Sequence, residues 1–187
     1  RRYPAFVRTS SLDELRATDY KRLDESSCTY LDYTGSGLYG ASQLRHHHEI
    51  LESTVFGNPH SQSSVSVAST RFVQEARDAT RRFFNAAEDE YEVVFTANAT
   101  GGLKLIGEAY PFDPRSRLLL SYDNHNSVNG IREFARRGGA FVDYVPVCRS
   151  DLRLDARLLR RALEVPAAGP HRLFAYPAQS NFSGVQH

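Results

Sequence analysis

The sequence predicts an α/β protein of three layers, in which a mostly parallel sheet carries helices on both faces. Two observations lead to this fold class. Short apolar runs typical of buried strands alternate with amphipathic segments of helical period in the second half of the chain. The connections between these runs are long enough to be right-handed crossovers between parallel strands. A parallel sheet of this kind is covered on both faces.

The composition is that of a globular chain without a strong electric field. The 187 residues carry 23 Lys and Arg against 22 Asp and Glu, a formal net charge of +1. This balance argues against partners such as nucleic acid or an anionic membrane surface. No apolar run approaches the roughly 20 residues of a membrane-spanning helix, and no hydrophobic region of a signal peptide follows residues 1–4. The two cysteines, Cys28 and Cys148, are far apart, which fits a cytoplasmic protein without a cysteine metal site.

Residues 1–29 are predicted to form an N-terminal arm. Ser11 and Glu14 have the spacing of a capping box, which predicts a short polar helix that begins after Ser11 and continues to about Lys21. The sequence does not begin with Met, and we expect it to be part of a longer protein.

Residues 35–40 have the glycine spacing of a dinucleotide-binding loop, Gly35-x-Gly37-x-x-Gly40. Such a loop requires a hydrophobic strand directly before it, but residues 26–29 are polar and only Tyr30 and Leu31 are suited to a strand. A dinucleotide-dependent oxidoreductase is therefore a minor hypothesis. It would require a buried strand at Tyr30 and an acidic residue placed to bind a ribose.

Two helices are predicted between residues 42 and 84. Ser42 is the expected cap of the first helix, which ends at residues 56–57 and carries residues 46–48, all histidine. Successive helical residues point about 100° apart, so these histidines cannot converge on one metal ion. The second helix is long and amphipathic, with apolar residues repeated at helical spacing from Val65 to Phe83.

Residues 92–104 predict a buried strand, a tight turn and the start of a helix. Residues 93–95 are the apolar strand, and the small residues 98–102 leave several backbone N–H groups accessible where the helix begins. Free N–H groups at a helix N-terminus bind phosphate without a basic side chain. The alternative is an ordinary strand-to-helix turn capped by Thr100, because small residues suit both.

Three further strands and two further helices complete the predicted order. The strands are residues 117–121, 141–144 and 173–176, which are apolar runs between polar loops. One helix contains Val128 and Phe134 and ends at residues 138–139, both glycine, and the other begins after Asp155 as its cap.

Polar residues follow three of the predicted strands, at the edge where open α/β sheets bind ligands. Ala99 and Thr100 follow the first of these strands, His125 follows the second and Asn181 follows the last. A flat phosphorylated ligand could be held at its phosphate by Thr100 and the helix N-terminus, against its ring by His125, and at a ring oxygen by Asn181. Pyridoxal phosphate fits this description. Each residue also has a plain structural reading, His125 as a histidine satisfied by its neighbours at the start of a helix and Asn181 as a turn former.

Six motifs carry a resemblance to a known enzyme family: Tyr30-Leu-Asp, Gly57-Asn-Pro-His-Ser-Gln62, Val94-Phe-Thr-Ala97, Gly102-Leu-Lys-Leu105, Asp123-x-His125-x-Ser-Val128 and Tyr176-Pro-Ala-Gln-Ser-Asn-Phe-Ser-Gly-Val185. From about Tyr30 to the end, the sequence resembles the N-terminal, cysteine-desulfurase-like domain of molybdenum cofactor sulfurases. These are class-V aminotransferases, which are fold-type I pyridoxal-phosphate enzymes.

The resemblance implies roles for four residues. Ala99 and Thr100 would bind the cofactor phosphate, His125 would stack on the pyridine ring and assist proton transfer, and Asn181 would contact the phenolic oxygen. It also implies cysteine or a cysteine-like substrate, a homodimer, and molybdenum cofactor or a carrier protein as a possible sulfur acceptor. Asn98 stands where the family usually has Gly, which would alter the turn.

Family members continue past the last motif to an Asp that pairs with the pyridine nitrogen, a Schiff-base Lys and, in desulfurases, an acceptor Cys. The sequence ends at His187 before these positions, and neither Lys21 nor Lys104 is placed to replace that lysine. We therefore expect residues 30–187 to be the front half of a fold-type I pyridoxal-phosphate domain that is inactive by itself. We also expect it to aggregate through an open sheet edge and exposed apolar surface.

Two hypotheses about the parent protein follow. The first is a pyridoxal-phosphate-dependent cysteine desulfurase or, without an acceptor Cys, a C–S lyase. The second is a non-catalytic α/β module that keeps the fold and serves in assembly or regulation.

Overall fold

The computed structural model describes residues 3–166 and 168–187. The chain divides between Val93 and Val94 into two compact units, here called the N-terminal unit and the C-terminal unit. The described part of the N-terminal unit contains helices and no strand, whereas the C-terminal unit contains a parallel sheet. The division between an arm at residues 1–29 and a domain at residues 30–187 stays a prediction.

The N-terminal unit begins with a 3₁₀-helix, Pro4–Thr9, that leads into α1 (Ser10–Asp19) and α2 (Arg22–Glu25). The predicted capping box was wrong, because α1 begins at Ser10 and no side chain caps its first N–H groups. A capping residue needs extended backbone, and here the chain is already helical before the predicted cap.

Helix α3 (Ala41–Ser53) begins one residue before the predicted cap at Ser42. Gly40 takes the capping position instead, and its N–H group donates to Gln43 Oε1 over 2.7 Å. The N–H group of Ser42 donates to Asp19 Oδ1 over 2.6 Å, so its place is set by a contact from α1. The helix also ends at Ser53, before the predicted end at residues 56–57.

The three histidines of α3 are exposed and bind no common partner. His48 Nε2 lies 3.1 Å from Glu52 Oε1, and His46 Nδ1 lies 3.9 Å from Glu49 Oε2. The described residues contain no group of three or more His, Cys, Asp or Glu that could hold a metal ion.

Helix α4 (Ser64–Phe84) is the long amphipathic helix that the periodicity predicts. Ser63 caps it by accepting a hydrogen bond from Ser66 N–H. Asn85 ends it in the left-handed conformation, with φ of 51°, which asparagine tolerates better than most residues. No helix in the described residues has the length and apolar character needed to cross a membrane.

The glycine-rich segment before α3 is a local turn. Residues 28–40 contain no strand, so the strand that a dinucleotide loop requires is missing there. Asp32 Oδ1 accepts a hydrogen bond from Gly35 N–H over 3.2 Å. A Cβ atom at Gly35 would lie only 2.6 Å from Asp32 Oδ2, so this turn itself explains the first glycine.

The C-terminal unit is built on three parallel strands, β1 (Arg117–Ser121), β2 (Phe141–Val145) and β3 (Arg172–Ala175), in the order β2-β1-β3. The register places Leu118 of β1 opposite Val142 of β2 and Leu173 of β3. These are the three strands that the apolar runs predict, and their parallel arrangement is confirmed.

The remaining helices of this unit are α5 (Ala99–Ala109), α6 (Asn126–Asn129), α7 (Ile131–Arg137) and α8 (Ala156–Glu164). The connection from β1 to β2 and the connection from β2 to β3 run in opposite directions across the sheet. Right-handed crossovers therefore place α7 and α8 on opposite faces.

Side-chain alternation along β1 agrees with two covered faces. Leu118 and Leu120 are fully buried in a cluster with Ile131 and Ala135 of α7. The neighbouring residue Arg117 belongs to the other face, because successive strand residues point to opposite sides. Its guanidinium donates to the carbonyl oxygen of Ala162 in α8 over 2.7 Å. The predicted α/β fold with helices on both faces is thus confirmed.

Glycine at position 107 permits close packing of α5 against α7. A Cβ atom there would lie 2.6 Å from Phe134 Cδ2. The single helix predicted around Val128 and Phe134 is two helices, α6 and α7, that meet at Gly130. The predicted end of the second at residues 138–139 is confirmed, with Gly139 at φ of 79°.

The strand predicted at residues 93–95 was wrong. This segment is not part of the sheet, and Val94 and Phe95 are 68% and 55% exposed. An apolar run becomes a strand only where a neighbouring strand supplies the ladder of hydrogen bonds. The edge strands of this sheet, β2 and β3, pair only with β1 in the described residues.

Candidate functional site

The N-terminus of α5 is capped by Asn98, not by Thr100. The Asn98 side chain accepts a hydrogen bond from Gly101 N–H over 2.9 Å, and its carbonyl oxygen accepts one from Gly102 N–H over 3.3 Å. The N–H groups of Ala99 and Thr100 have no acceptor within the helix, because they belong to its first turn. They lie at the positive end of the helix dipole, where an anion is favoured. The asparagine in place of glycine therefore uses one N–H group and leaves two for a ligand.

Two hydroxyl groups meet beside this helix end. Thr100 Oγ1 lies 2.7 Å from Ser127 Oγ, which in turn lies 3.0 Å from His125 Nδ1. This hydroxyl chain, Thr100–Ser127–His125, joins the start of α5 to the start of α6. Sequence reasoning did not select Ser127, although it belongs to the Asp123-x-His125-x-Ser-Val128 motif, and that motif was the signal that could have identified it.

His125 is the cap of α6, and its ring is exposed. Its Nδ1 atom accepts a hydrogen bond from the backbone N–H group of Ser127 over 3.2 Å. In the neutral ring the proton is therefore on Nε2, which is the nitrogen free to act on a ligand. The local reading of His125 as a capping residue thus describes its Nδ1 atom and leaves its Nε2 atom available.

Asn181 lies at the tip of a short hairpin, defined here as residues 178–187. Ser180 N–H donates to Val185 O over 2.9 Å, and Gly184 N–H donates back to Ser180 O over 2.8 Å. Gly184 has φ of 73°, a conformation that glycine adopts without strain. The turn keeps the Asn181 side chain exposed.

His125 and Asn181 line one cavity of about 400 Å³ in the C-terminal unit. Tyr122 and Phe182 supply aromatic surface to the same cavity. The three site-bearing loops come from different parts of the sequence, and they meet here because parallel strands end at the same edge of a sheet.

Two buried acceptors belong to the residues that line this cavity. Asp123 Oδ1 and Asn124 Oδ1 have no hydrogen-bond partner among the described residues. Buried polar atoms are normally satisfied by protein, water or ligand. The site therefore has acceptor capacity close to His125 that the described residues do not use.

Asp123 itself is held by His187. His187 Nε2 lies 2.7 Å from Asp123 Oδ2, and the two side chains are 2% and 8% exposed. Burial acts to raise the pKa of the Asp123 carboxyl, but its hydrogen bonds, led by that from His187, outweigh burial and lower the pKa below its usual value. Sequence reasoning missed this pair, because the two residues are 64 positions apart.

A larger open cavity of about 500 Å³ lies in the N-terminal unit around Arg81. The guanidinium of Arg81 is paired there with Asp78 and Glu88, each over 3.4 Å. These carboxylates oppose the binding of an anion, and none of the predicted site residues lines this cavity.

The structure therefore brings together most of the predicted site. Ala99 and Thr100 offer backbone N–H groups at the start of α5, and Thr100 contacts His125 through Ser127. His125 and Asn181 line one cavity. Hydroxyl and amide donors at one end and a ring-sized opening at the other fit a phosphorylated aromatic ligand such as pyridoxal phosphate.

Comparison with known proteins agrees with this geometry. The aminotransferase class-V family matches residues 29–187. The molybdenum cofactor sulfurase of Solanum lycopersicum is 40% identical over 190 residues, which cover 93% of this chain and 23% of that protein. The chain thus spans roughly a quarter of that relative's length.

Two solved structures share the fold. The cysteine desulfurase CsdA from Escherichia coli has a TM-score of 0.71 at 21% identity, over 93% of this chain and 43% of that chain. A C-DES mutant with glycine covalently linked to its pyridoxal-phosphate cofactor has a TM-score of 0.61 at 19% identity, over 79% of this chain and 37% of that one. The match over residues 29–187 and the parallel sheet of β1, β2 and β3 show that the chain belongs to the class-V aminotransferase family.

Proposed function

We propose that this chain is part of a pyridoxal-phosphate-dependent enzyme that cleaves the C–S bond of cysteine or a cysteine-like amino acid, as a desulfurase or a C–S lyase of the molybdenum cofactor sulfurase kind. The observation that carries the proposal is the hydroxyl chain Thr100–Ser127–His125, which joins the N-terminus of α5 to the cavity lined by His125 and Asn181. The sequence similarity to the tomato molybdenum cofactor sulfurase supports it.

The phosphate end of the cofactor is assigned to the start of α5. Ala99 and Thr100 would donate their backbone N–H groups, and the helix dipole would favour the negative charge. The Thr100 and Ser127 hydroxyls, 2.7 Å apart, can both turn toward the phosphate oxygens. No lysine or arginine is required at such a site, which agrees with the absence of both residue types from residues 94–103.

The ring end of the cofactor is assigned to His125 and Asn181. His125 would lie against the ring and hold or move a proton at Nε2, the nitrogen left free by the hydrogen bond from Ser127. The Asn181 amide would donate to the phenolic oxygen. When bound, pyridoxal phosphate supplies an electron sink for the substrate carbon next to the amine.

The wider partners belong to the same proposal. The desulfurase reading needs a sulfur acceptor, which would be molybdenum cofactor or a carrier protein, and a homodimer would complete the site. The lyase reading needs no acceptor. The two readings are distinguished by whether the sulfur of cysteine is recovered on the protein or as free sulfide.

A second candidate, a non-catalytic binding module, is favoured by the positions of the lysines. Lys104 Nζ pairs with Glu108 over 3.3 Å along α5, and Lys21 Nζ pairs with Glu25 over 3.1 Å in the N-terminal unit. Neither lines the cavity that holds His125 and Asn181. Covalent chemistry with a carbonyl cofactor needs an amine at the site, and residues 1–187 place none there in the described structure.

Borohydride trapping tests the proposed function. The natural polypeptide that contains this sequence is incubated with pyridoxal phosphate, reduced, and mapped by peptide mass spectrometry. A pyridoxyl adduct on a lysine outside residues 1–187, weakened in a Thr100→Val variant but not in Thr80→Val, is the expected result. Thr80 is a suitable control because its hydroxyl bonds only within α4. A natural polypeptide that takes up no pyridoxal phosphate would leave the binding module as the better account.

A further inference from the structure

We infer that Asp123 and His187 are positioning residues, whose hydrogen bond fixes the loop that carries His125 relative to the hairpin that carries Asn181. The inference rests on the proposed function, because it concerns the two residues assigned to the cofactor ring. Neither residue has been given a role in the site so far.

The loop that carries Asp123 is anchored at its start to the sheet. Asp123 follows β1 by two residues and precedes His125 by two. Tyr122 N–H donates to Val145 O at the end of β2 over 3.1 Å. The Asn124 amide donates to Ala175 O at the end of β3 over 2.9 Å. A displacement of Asp123 therefore moves His125, because only one residue separates them.

The hairpin that carries Asn181 is closed by backbone hydrogen bonds. Gln179 and Gln186 form an antiparallel bridge, and His187 N–H donates to Ala178 O over 3.2 Å. His187 is therefore fixed to the base of the same hairpin whose tip presents Asn181. A displacement of the His187 side chain tilts the hairpin as a unit.

The bond between the two segments is short, buried and specific in its proton position. His187 Nε2 and Asp123 Oδ2 are 2.7 Å apart, and both side chains are more than nine-tenths buried. The backbone N–H group of Leu154 donates to His187 Nδ1 over 3.2 Å. The proton of the neutral ring is therefore on Nε2, which donates to the carboxylate. Hydrogen bonds to a charged acceptor are stronger than neutral ones.

His187 consequently ties together the segments that follow all three strands. Asp123 follows β1, Leu154 lies between β2 and α8, and His187 follows β3. The bond lies beside the cavity rather than across it, since Asp123 is one of its lining residues. A ring clamped between His125 and Asn181 requires the two groups to be held to within a fraction of an ångström. The Asp123–His187 bond supplies that constraint.

Matched variants separate the bond from the charge and from general stability. His187→Gln keeps an N–H donor at the reach of Nε2, whereas His187→Asn keeps an acceptor for Leu154 but is too short to reach Asp123. Asp123→Asn keeps an acceptor oxygen without the charge, and Asp123→Ala removes it. Ile131→Val serves as a control, because it trims a buried core residue of α7 and leaves the bond intact.

The first measurement needs no cofactor. Amide hydrogen exchange of the chain is followed by mass spectrometry in residues 122–130 and 178–187. His187→Asn and Asp123→Ala are expected to raise exchange in both segments together by about tenfold, as expected for loss of a buried charge-assisted hydrogen bond. His187→Gln and Asp123→Asn are expected to stay near the parent. Exchange that rises in only one segment, or equally in Ile131→Val, would overturn the inference.

The second measurement uses the natural full-length protein with pyridoxal phosphate bound. The visible circular dichroism of the cofactor reports how its ring is held, and it is expected to change in His187→Asn and Asp123→Ala but not in Ile131→Val. An unchanged spectrum in the first two variants would also overturn the inference. A parent protein that binds no cofactor would instead contradict the proposed function, while the exchange measurement would still decide whether the two segments are coupled.

Discussion

Thr100 Oγ1 lies 2.7 Å from Ser127 Oγ, although the two residues are 27 positions apart in the sequence. Thr100 belongs to the first turn of α5, and Ser127 belongs to the short helix α6. This contact brings the helix end that suits an anion next to the loop that carries His125. It is the connection by which two separate motifs become parts of one site.

Removal of the Thr100 hydroxyl is expected to weaken pyridoxal-phosphate binding by the natural protein. Thr100→Val and Ser127→Ala should each raise the cofactor dissociation constant by about tenfold, since each removes one hydrogen bond to a charged group. Equilibrium fluorescence titration measures the change. Thr80→Val, whose hydroxyl bonds only to Ala76 O in its own helix, should bind as the parent does. Equal affinity in all four proteins would contradict the assignment of the phosphate end.

His125 is expected to matter for turnover more than for folding. His125→Ala should lower kcat of the natural protein by about 10²- to 10⁴-fold, the range for loss of a general acid or base, measured as sulfur or sulfide released from cysteine. Its melting temperature should change little, because the side chain is exposed and loses only the capping bond of a short helix. His48→Ala in α3 is the matched control, since His48 is exposed and contacts only Glu52. Wild-type turnover in His125→Ala would show that this ring has no catalytic part.

Stability of the C-terminal unit is expected to decrease in acid because of Asp123. The folded protein lowers the pKa of this carboxyl, so its contribution is present above the unfolded-state pKa and is lost as the pH falls through the folded-state pKa. Urea unfolding at a series of pH values measures this loss. Asp123→Asn should remove part of the pH dependence and leave that due to Asp113, whose pKa is also lowered, first by its hydrogen bond with Ser116. An identical pH profile for parent and variant would contradict the assignment.

Gly107 and Gly102 of α5 are expected to respond oppositely to alanine. At Gly107 the added Cβ would meet Phe134 Cδ2 at 2.6 Å, so Gly107→Ala should destabilise the unit by about 1–3 kcal/mol, typical of overpacking. At Gly102 the nearest atom, Thr96 Oγ1, is 3.8 Å away, and Gly102→Ala should stabilise the helix by about 0.5–1 kcal/mol. Chemical denaturation of both variants provides the comparison. Equal effects would contradict the close approach of α5 and α7.

The isolated chain is expected to self-associate through exposed apolar surface. Phe83 and Phe84 at the end of α4 are mostly exposed and lie edge to face, with ring centroids 5.0 Å apart. Phe83→Ser and Phe84→Ser together should shift the chain toward a monomer in analytical ultracentrifugation, because they reduce the contiguous apolar area. The exposed but isolated Leu31 offers a control in Leu31→Ser. A monodisperse parent chain that melts cooperatively would contradict this prediction.

Local sequence was sufficient wherever the deciding interactions are local. Asp155 caps α8 by accepting hydrogen bonds from the N–H groups of Arg157 and Leu158, and the pattern predicted this cap from adjacent residues. The apolar run at residues 118–120 predicted a buried strand, and all three leucines are buried. The site residues could be predicted because polar residues that follow parallel strands meet at one edge of the sheet.

Only the tertiary structure could decide features that depend on a distant partner. The apolar segment at residues 93–95 reads as a strand, but a strand needs a neighbour and the sheet has none for it in the described residues. Ser127 entered the site through its contact with Thr100, and His187 through its bond to Asp123 across 64 positions. The sequence by itself thus determined the elements of this protein and the edge at which its site forms. The packing of those elements decided which side chains touch there, because contacts between distant residues leave no periodicity or spacing in the chain.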